Sequence, residues 1–330
     1  MANTMQYARL GRAGIRVSRL ALGTMNFGWH TDESTAHTIM DAALDAGVNF
    51  FDTANIYSGG ASEEIIGRWL GKDASRRGKV VLTTKLYIPT EEWPNFGGLS
   101  ALNIRRAVEE SLRRLDVEYI DLLQFHHIDR DTTFEEVWQA TERLVADGKL
   151  LYAGTSNFAG WHIAAAAEAA ARRHFLGPVS EQSVYNLMER TVELEVLPAA
   201  QHYALGFLPW SPLAGGLLAG SQRKLDEGRA RDDSSLLGHG ARAAHIEALR
   251  QALTAYTDLA AALDTTPTVL ALAWLLSRPG VTAPVLGPRT LAHLTGSLPA
   301  VDLSISNEIS ARLDALFPGP GGPAPEAYTW

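Results

Sequence analysis

Short apolar runs and amphipathic segments alternate along most of the chain. Each run is rich in Val, Ile, Leu or Phe, and a polar loop and a segment of helical periodicity follow it. Because the runs are continuously apolar, they predict strands of a parallel sheet that is covered on both faces. The eight predicted strands lie within residues 19–28, 48–53, 80–85, 119–127, 150–158, 178–186, 205–213 and 283–290.

The segments between the strands predict helices, among them residues 34–46, 101–115 and 134–147. Gly47 suits the left-handed residue that ends the first of them. Eight strand–helix units in 330 residues predict one domain, residues 1–330, folded as an α/β (β/α)8 barrel of the TIM type. A doubly wound dinucleotide-binding sheet is disfavoured, because "GTMNFG" and "GGLLAG" lack the spacing and context of its glycine motif.

Two segments depart from this rhythm. Residues 214–241 are rich in Gly, Arg and Asp and predict a long mobile loop after the seventh strand. The tail "FPGPGGPAPEAYTW", residues 317–330, follows an extra C-terminal helix and cannot be helical over its proline-rich part. Strands lie on both sides of the long loop, so neither segment is interpreted as a linker between domains.

Composition narrows the functional classes. The chain is 46% hydrophobic and 20% charged, which is typical of a globular protein, and its net charge of −8 argues against nucleic acid or an anionic membrane as partner. The absence of cysteine excludes disulfides, thiolate catalysis and Cys-ligated metals. Neither a signal peptide nor an apolar stretch of about 18 residues is evident, so we expect a cytoplasmic protein.

The stretch "FFDTANIYSG", residues 50–59, places a carboxylate at the end of a buried strand. Asp52 there could cap the turn, or it could face a cation, since a buried carboxylate is costly without a partner. Function in such barrels collects at the carboxyl ends of the strands. Asp52, Tyr57, Lys85 and His126 all lie at neighbouring strand ends, so we expect them to converge and Lys85 to supply the cation.

These four side chains suit acid catalysis at a carbonyl oxygen. A phenol is a poor acid at its ordinary pKa of about 10, and the ammonium of Lys85 is expected to lower the pKa of Tyr57. Asp52 would keep Lys85 charged, and His126 would donate a hydrogen bond to the oxygen where charge develops. The hydride that reaches the carbonyl carbon must come from a cofactor.

The chain resembles the aldo-keto reductases over almost its whole length. The resemblance lies in "RLGRAGIRVSRLALGTMNFG", "DTANIYS", "YIDLLQFHH", "GTSNF", "EQSVYN", "WSPLAGGLLAG" and "VLGPRT". It implies a nicotinamide cofactor extended across the barrel mouth, with Tyr57 as general acid. It assigns the nicotinamide carboxamide to Ser156, Asn157 and Gln182, the face of the ring to Trp210, and the pocket beneath the reacting carbon to Gly23, Thr24 and Met25. Asp52 is also counted among the cofactor-binding residues.

The same resemblance assigns the phosphates and the adenosine. Residues 211–218, "SPLAGGLL", would turn backbone N–H groups toward the pyrophosphate. Arg289 would grip a phosphate at the start of the helix that "GPRT" opens, which favours NADP(H) over NAD(H). Where many relatives carry Gln and a Glu-Asn pair, this chain has His293, Gly296 and Ser297. The assigned residues are Ser211, Pro212, Leu213, Gly215, Leu217, Gly287, Arg289, Thr290, His293 and Ser297.

Other interpretations of these residues stay open. Lys85 could form the Schiff base of a class I aldolase, and the family includes non-catalytic channel-associated subunits that sense nicotinamide. His126, His127 and Asp129 are residue types that bind metals, but no further carboxylate or histidine lies at metal-ligand spacing, so no metal site is predicted. Trp29 and Trp93, in loops over the barrel mouth, would either form a substrate pocket with Tyr57 and His126 or pack as lids.

The substrate is predicted to be a small carbonyl compound. The tail and "LQFHHIDRDTTFEE" resemble an actinobacterial branch that includes reductases of antibiotic deoxysugar pathways, which implies a nucleotide-activated keto-deoxyhexose. Other members of that branch reduce generic aldehydes and ketones. His126 stands where reductases of conjugated C=C bonds typically carry Glu, so direct carbonyl reduction is expected. The oligomeric state is not predicted.

Overall fold

The computed structural model describes residues 5–221 and 243–321. The predicted long loop, residues 214–241, begins with a short 3-10 helix, Ala214–Ala219, and lies outside the described residues from residue 222 onward. The tail from residue 322 onward also lies outside them.

Eight parallel strands form a nearly closed barrel, which confirms the predicted (β/α)8 fold. The last gap is closed by a parallel bridge between Phe207 and Val281, where the N–H of Thr282 donates to the carbonyl of Phe207 at 2.8 Å. An antiparallel hairpin, β1–β2, precedes the barrel strands β3–β10. The strands are β1 Tyr7–Arg9, β2 Arg16–Ser18, β3 Ala21–Gly23, β4 Phe50–Asp52, β5 Val81–Leu86, β6 Ile120–Phe125, β7 Leu150–Ser156, β8 Pro178–Val184, β9 Gly206–Trp210 and β10 Val285–Leu286.

The helices begin at capping side chains and end where the backbone turns. Asp32, Ser100 and Thr133 each accept the N–H of the third helical residue, and Gly47 has the predicted left-handed conformation after α1. The helices predicted at residues 34–46 and 134–147 are observed at residues 33–45 and 134–146, so their bounds differ by one residue. The helices are α1 Glu33–Asp45, α2 Ala61–Gly71, α3 Ala101–Leu115, α4 Phe134–Ala146, α5 Gly160–Arg172, α6 Val196–His202, α7 Ala243–Ala262, α8 Pro267–Ser277, α9 Leu291–Thr295 and α10 Asn307–Leu316.

The β1–β2 hairpin closes the amino-terminal end of the barrel and was absent from the predicted strands. Leu10, Ala13 and Val17 are buried there against the lower residues of the barrel, Phe50 and Leu208 among them. Strands of three residues carry too little periodicity to be recognised. Since this end is filled with apolar side chains, chemistry is confined to the opposite end.

Alternation along the strands places polar side chains at that opposite end. On β6, Leu122 belongs to the apolar inner layer, whereas Leu123 and Phe125 pack outward toward the helices. Side chains two residues apart share a face, so Gln124 follows Leu122 on the inner face. By the same rule Asp52 follows Phe50 inside the barrel. The inner face therefore changes from apolar to polar toward the carboxyl ends of the strands.

The described helices were compared with the length and hydropathy that a membrane-spanning helix needs. No helix there is long and apolar enough by itself to cross a membrane. Residues Leu249–Ala262 and α8 pass the length and composition test only as a pair bent by 89°.

Candidate active site

The structure brings together the four side chains predicted to form the catalytic tetrad. Lys85 Nζ lies 2.5 Å from Asp52 Oδ2, 3.0 Å from the carbonyl of Thr53 and 3.3 Å from the hydroxyl of Tyr57. Asp52 and Lys85 are buried. The His126 ring meets the Tyr57 ring edge-on, with centroids 5.9 Å apart. Lys85 is therefore the cation that Asp52 requires.

The backbone after β4 fixes the position of the phenol. The N–H of Asn55 donates to the carbonyl of Lys85 at 3.0 Å, so the two strand ends are joined directly. Tyr57 then begins a short 3-10 helix, Tyr57–Gly60, in which Ser58 has a left-handed conformation. The Ser58 hydroxyl donates to the carbonyl of Phe27 at 2.8 Å, which ties this turn to the loop after β3. These bonds hold Tyr57 over the end of β5.

Two glutamines complete the surroundings of Asp52. Its Oδ1 accepts from Gln124 Nε2 at 3.1 Å and from Gln182 Nε2 at 2.9 Å, while Oδ2 accepts from Lys85. A buried carboxylate requires such partners. Gln124 was missed in the sequence, although its place two residues before His126 puts both on the inner face. Through Gln182, the Asp52–Lys85 pair is joined to the predicted carboxamide site.

The protonation of Tyr57 and Lys85 suits a proton donor held beside a fixed cation. Burial raises the pKa of Tyr57, and the charge of Lys85 opposes this rise without reversing it. The expected net lowering of this pKa is therefore wrong, because desolvation outweighs the ammonium. Burial lowers the pKa of Lys85, but Asp52 and Tyr57 raise it by more, so the net shift is upward. The phenol is protonated and the amine charged at neutral pH.

His126 is neutral at neutral pH. Burial, together with the charges of Lys85 and His127, lowers the pKa of His126 to about 3. Its Nδ1 is buried and has no hydrogen-bond partner among the described residues. Its backbone carbonyl accepts from Asn157 Nδ2 at 3.0 Å. A neutral imidazole carries one N–H, so His126 can donate a single hydrogen bond next to the phenol.

The residues assigned to the carboxamide form one hydrogen-bonded group. The Ser156 hydroxyl donates to the carbonyl of Gln182 at 2.8 Å, and Asn157 Nδ2 donates to Ser156 Oγ at 3.1 Å. Asn157 is left-handed, with φ of 59°, and its Oδ1 accepts from Trp210 Nε1 at 3.0 Å. A hydroxyl, two primary amides and a fixed indole are chemically suited to a primary carboxamide on a flat ring. The donor set thus fits a nicotinamide, and its occupant stays a prediction.

The segment predicted to cradle the pyrophosphate is an irregular turn. Ser211, Ala214, Gly215 and Gly216 all have positive φ, and the N–H groups of Ala214 and Gly216 donate to the carbonyls of Ser211 and Leu213 at 3.0 and 2.8 Å. Contact of this turn with a pyrophosphate stays a prediction. Asn186 Nδ2 fixes the start of this turn through the carbonyl of Ser211 at 3.0 Å. The remaining assigned side chains support the turn: Pro212 and Leu217 are buried, and Leu213 packs partly buried against the core.

The residues assigned to the adenosine lie at the β10–α9 junction. Arg289, Thr290 and His293 are exposed, whereas Ser297 is buried and donates to the carbonyl of His293 at 2.8 Å. Thr290 caps α9, so the predicted helix start after "GPRT" is confirmed. Asn26 accepts from Arg289 Nε at 3.3 Å and donates to the carbonyl of Gly287 at 3.1 Å. One side of the Arg289 guanidinium is thereby anchored to the barrel.

The residues assigned to the reacting carbon and the substrate differ in burial. Thr24 is buried, and its N–H and hydroxyl both donate to the carbonyl of Asp52, at 2.9 and 3.1 Å, beside Gly23. Met25, Trp29 and Trp93 are exposed by 51%, 69% and 71%. These three side chains are therefore exposed in the loops that follow β3 and β5. Their contact with a substrate stays a prediction.

The histidine-rich segment after β6 organises a loop. Asp129 accepts from the N–H of Leu99 at 2.7 Å and from the Thr132 hydroxyl at 2.9 Å. In the described ranges no three His, Cys, Asp or Glu side chains are placed to hold a metal ion. Asp129 is thus committed to joining the loops that follow β5 and β6.

Comparisons with known proteins agree with this geometry. Residues 19–317 match the model of the Aldo/keto reductase family. An uncharacterized oxidoreductase of Bacillus subtilis, YrpG, is 50% identical over 99% of this chain and 100% of its own length. A probable voltage-gated potassium channel subunit beta of Oryza sativa is 35% identical over 94% of this chain and 96% of its own. Versiconal hemiacetal acetate reductase of Aspergillus parasiticus is 32% identical over 96% of this chain and 99% of its own length.

Proposed function

Because the chain belongs to the aldo/keto reductase family, we propose that it is an NADPH-dependent reductase of aldehydes or ketones. The observation that carries this proposal is the position of Lys85 Nζ between the carboxylate of Asp52 and the hydroxyl of Tyr57. That arrangement is an acid with a fixed positive charge behind it. It serves a reaction in which an oxygen gains a proton as negative charge develops on it.

Each side chain has a defined part in the proposed reaction. A bound nicotinamide dinucleotide supplies the hydride. Tyr57 gives its phenolic proton to the carbonyl oxygen, and Lys85, 3.3 Å away, stabilises the phenolate that is left. Asp52 keeps Lys85 charged and in place. Neutral His126 donates a hydrogen bond to the same carbonyl oxygen and, having no charge, does not compete with Tyr57 as an acid.

The preference for NADPH over NADH rests on Arg289. Its exposed guanidinium is held by Asn26 at the start of α9, where it can form charge-assisted bonds to a 2′-phosphate. NADH lacks this phosphate, so the contact would separate the two cofactors.

The aldolase alternative is disfavoured by the state of Lys85. A Schiff-base lysine attacks as a neutral amine. Burial alone would lower the pKa of Lys85, but its pairing with Asp52 and Tyr57 raises this pKa by more, so the amine is charged. Borohydride trapping of a substrate adduct on Lys85 would reverse this conclusion. A non-catalytic subunit is likewise disfavoured, because the proton donor and its cation are both in place.

Two classes of carbonyl substrate are compared, a nucleotide-activated keto-deoxysugar and an apolar aldehyde or ketone. The keto-deoxysugar expected from the sequence is carried on a nucleoside diphosphate, whose phosphates require cationic partners. Met25, Trp29 and Trp93, exposed in the described loops after β3 and β5, are apolar and support an aromatic or otherwise apolar carbonyl compound. Comparing kcat/KM for a nucleotide-activated keto-deoxyhexose with that for aromatic aldehydes decides between the two substrates.

A titration of the wild-type protein tests the proposed function. NADPH and NADH are added separately, and quenching of protein fluorescence and the shift of nicotinamide emission are recorded. We expect both to bind, NADPH more tightly, and NADPH to be oxidised once an aldehyde is added. If neither cofactor binds, the proposed function is wrong.

A further inference from the structure

Glu181 is a fully buried carboxylic acid beside the predicted carboxamide site. It precedes Gln182 on β8, and because neighbouring residues of a strand face opposite sides, it lies outside the barrel where Gln182 lies inside. None of the steps proposed above uses it. Buried glutamates are rare unless something binds them, so its contacts require an account.

The contacts of Glu181 join β8 to the turn after β7. Its Oε2 accepts from the Thr155 hydroxyl at 2.5 Å. Its Oε1 accepts from the backbone N–H of Phe158 at 3.2 Å and from the Ser183 hydroxyl at 2.6 Å. Among the described residues its hydrogen-bond partners are hydroxyl and N–H donors rather than a cation. Burial raises the pKa of this carboxyl to about 7.

Two of these contacts bracket the carboxamide residues. Thr155 directly precedes Ser156, and Phe158 directly follows Asn157, so one carboxylate holds both ends of the Ser156–Asn157 pair. Asn157 needs such support, because its backbone is left-handed, which is costly for a residue other than glycine. Its side chain in turn orients Trp210 and contacts the carbonyl of His126.

We propose that Glu181 is a positioning residue for the nicotinamide: its ionised carboxylate holds the turn of residues 155–158 in the shape that binds the carboxamide. The inference rests on the proposed function. An ionised carboxylate only accepts hydrogen bonds, so it satisfies hydroxyl and N–H donors on both oxygens at once. A protonated Glu181 must itself donate, so its bond to the Thr155 hydroxyl would reverse, with the Thr155 proton turned to the carbonyl of Ser180 at 3.2 Å. The charge-assisted bonds that hold the turn would then become weaker neutral ones.

Protonation of Glu181 should therefore weaken cofactor binding near neutral pH. The nearest titratable groups on the elements packed against the turn are His162, whose ring contacts Phe158, and Glu195, which accepts from the N–H of Gly160. His126 is joined to the turn through Asn157 and stays neutral across this range. Binding that requires the ionised form loses up to about tenfold in affinity between pH 8 and pH 6.

The test compares Glu181→Gln with a matched control, Glu63→Gln. Glu63 is a second fully buried carboxylate, held by the Thr84 hydroxyl and by Arg114, and it lies between α2, β5 and α3 rather than at the carboxamide turn. Kd is measured by fluorescence for NADPH and for 2′-phospho-ADP-ribose, which has the phosphates and the adenosine but lacks the nicotinamide. We expect Glu181→Gln to weaken NADPH about tenfold and to leave the fragment unchanged.

The pH dependence supplies the second readout. Wild-type and Glu63→Gln protein should lose NADPH affinity as the pH falls from 8 to 6, and Glu181→Gln should lose that dependence. The 2′-phosphate titrates near pH 6 in both ligands, so the fragment in the same buffers corrects for it.

Two results would overturn the inference. One is an unchanged NADPH Kd in Glu181→Gln, and the other is an equal loss for NADPH and the fragment, which would indicate general damage to the fold. Failure of the proposed function looks different, because the wild-type protein itself would then not bind NADPH.

Discussion

The two ends of the predicted cofactor site are built differently. At the nicotinamide end, Asp52, Lys85 and Gln182 are buried and joined by direct hydrogen bonds. At the adenosine end, Arg289 and His293 are exposed, and within the described residues the Arg289 side chain is anchored by one hydrogen bond, to Asn26 at 3.3 Å. The side chains proposed to react are thus preorganised by the barrel itself, whereas Arg289, which we propose distinguishes NADPH from NADH, lies at its rim.

This difference predicts how substitutions should act at each end. Inside the barrel, one side chain supports several others, so a change should affect both the chemistry and the stability of the fold. At the rim, an exposed side chain supports few others, so a change should affect affinity alone.

The largest effect is expected from Lys85→Met. It removes the cation beside Tyr57 and leaves Asp52 buried without its charge partner, which costs about 3–5 kcal/mol of the free energy of unfolding. Turnover should fall by about 10³-fold or more. Urea unfolding and steady-state kinetics measure the two losses, and near-normal stability would show that the nicotinamide end is less tightly coupled than its contacts indicate.

Tyr57→Phe should separate chemistry from structure at the same end. It deletes only the hydroxyl, so we expect kcat to fall by about 10³-fold while the Kd for NADPH stays within about twofold of wild type. Stopped-flow oxidation of NADPH with an aldehyde measures the chemical step. Retention of more than a tenth of the wild-type rate would remove Tyr57 from the role of proton donor.

Glu181→Gln tests whether the buried, ionised carboxylate at the nicotinamide end lowers the free energy of unfolding. The folded-state pKa of Glu181, about 7, lies above its ordinary value of 4.5, so the ionised form is disfavoured on folding. The resulting destabilisation is absent below about pH 4.5 and complete above about pH 7, where it amounts to about 3 kcal/mol. The wild-type protein should therefore gain stability relative to Glu181→Gln as the pH falls from 8 to 5, measured by denaturant unfolding at each pH.

Parallel stability profiles of the two proteins would show that the carboxylate is not disfavoured in the folded state. Glu63→Gln serves as the control here as well, because its carboxylate is paired with Arg114.

The smallest effect is expected from Arg289→Ala at the rim. The Kd for NADPH should rise about tenfold, and the Kd for NADH, kcat and the unfolding free energy should not change, because Arg289 is exposed. Thr295→Ala, an exposed position on the same helix α9 and outside the assigned residues, is the control. An equal loss for NADH and NADPH would mean that Arg289 does not recognise the 2′-phosphate.

The sequence predicted the barrel and the approach of the tetrad because both follow from strand order. Apolar runs mark the strands, and the residue that ends each run lies at the same edge of the barrel, so Asp52 and Lys85 had to meet. The β1–β2 hairpin was missed because its strands are too short for a periodic signal. Gln124 could have been found from its spacing to His126, but nothing in the sequence marks it as a partner of Asp52.

Electrostatics and backbone conformation were harder to predict. The direction of the Tyr57 pKa shift depends on how completely the phenol is desolvated, which is a property of the packed site. The left-handed conformation of Asn157 and the clamp that Glu181 forms on its turn depend on the pairing of β7 with β8. Such features arise only when strands distant in the chain come together.

The central claim is that a hydride reaches a carbonyl carbon while Tyr57 protonates its oxygen. The direct test uses NADPH deuterated at C4 and an aromatic aldehyde, with the alcohol analysed by mass spectrometry. With wild-type protein the account predicts one deuterium at the carbinol carbon from one of the two C4-labelled epimers and none from the other, and almost no product with Tyr57→Phe. Alcohol without deuterium from either C4-labelled epimer of NADPH, or equal product from Tyr57→Phe, would contradict it.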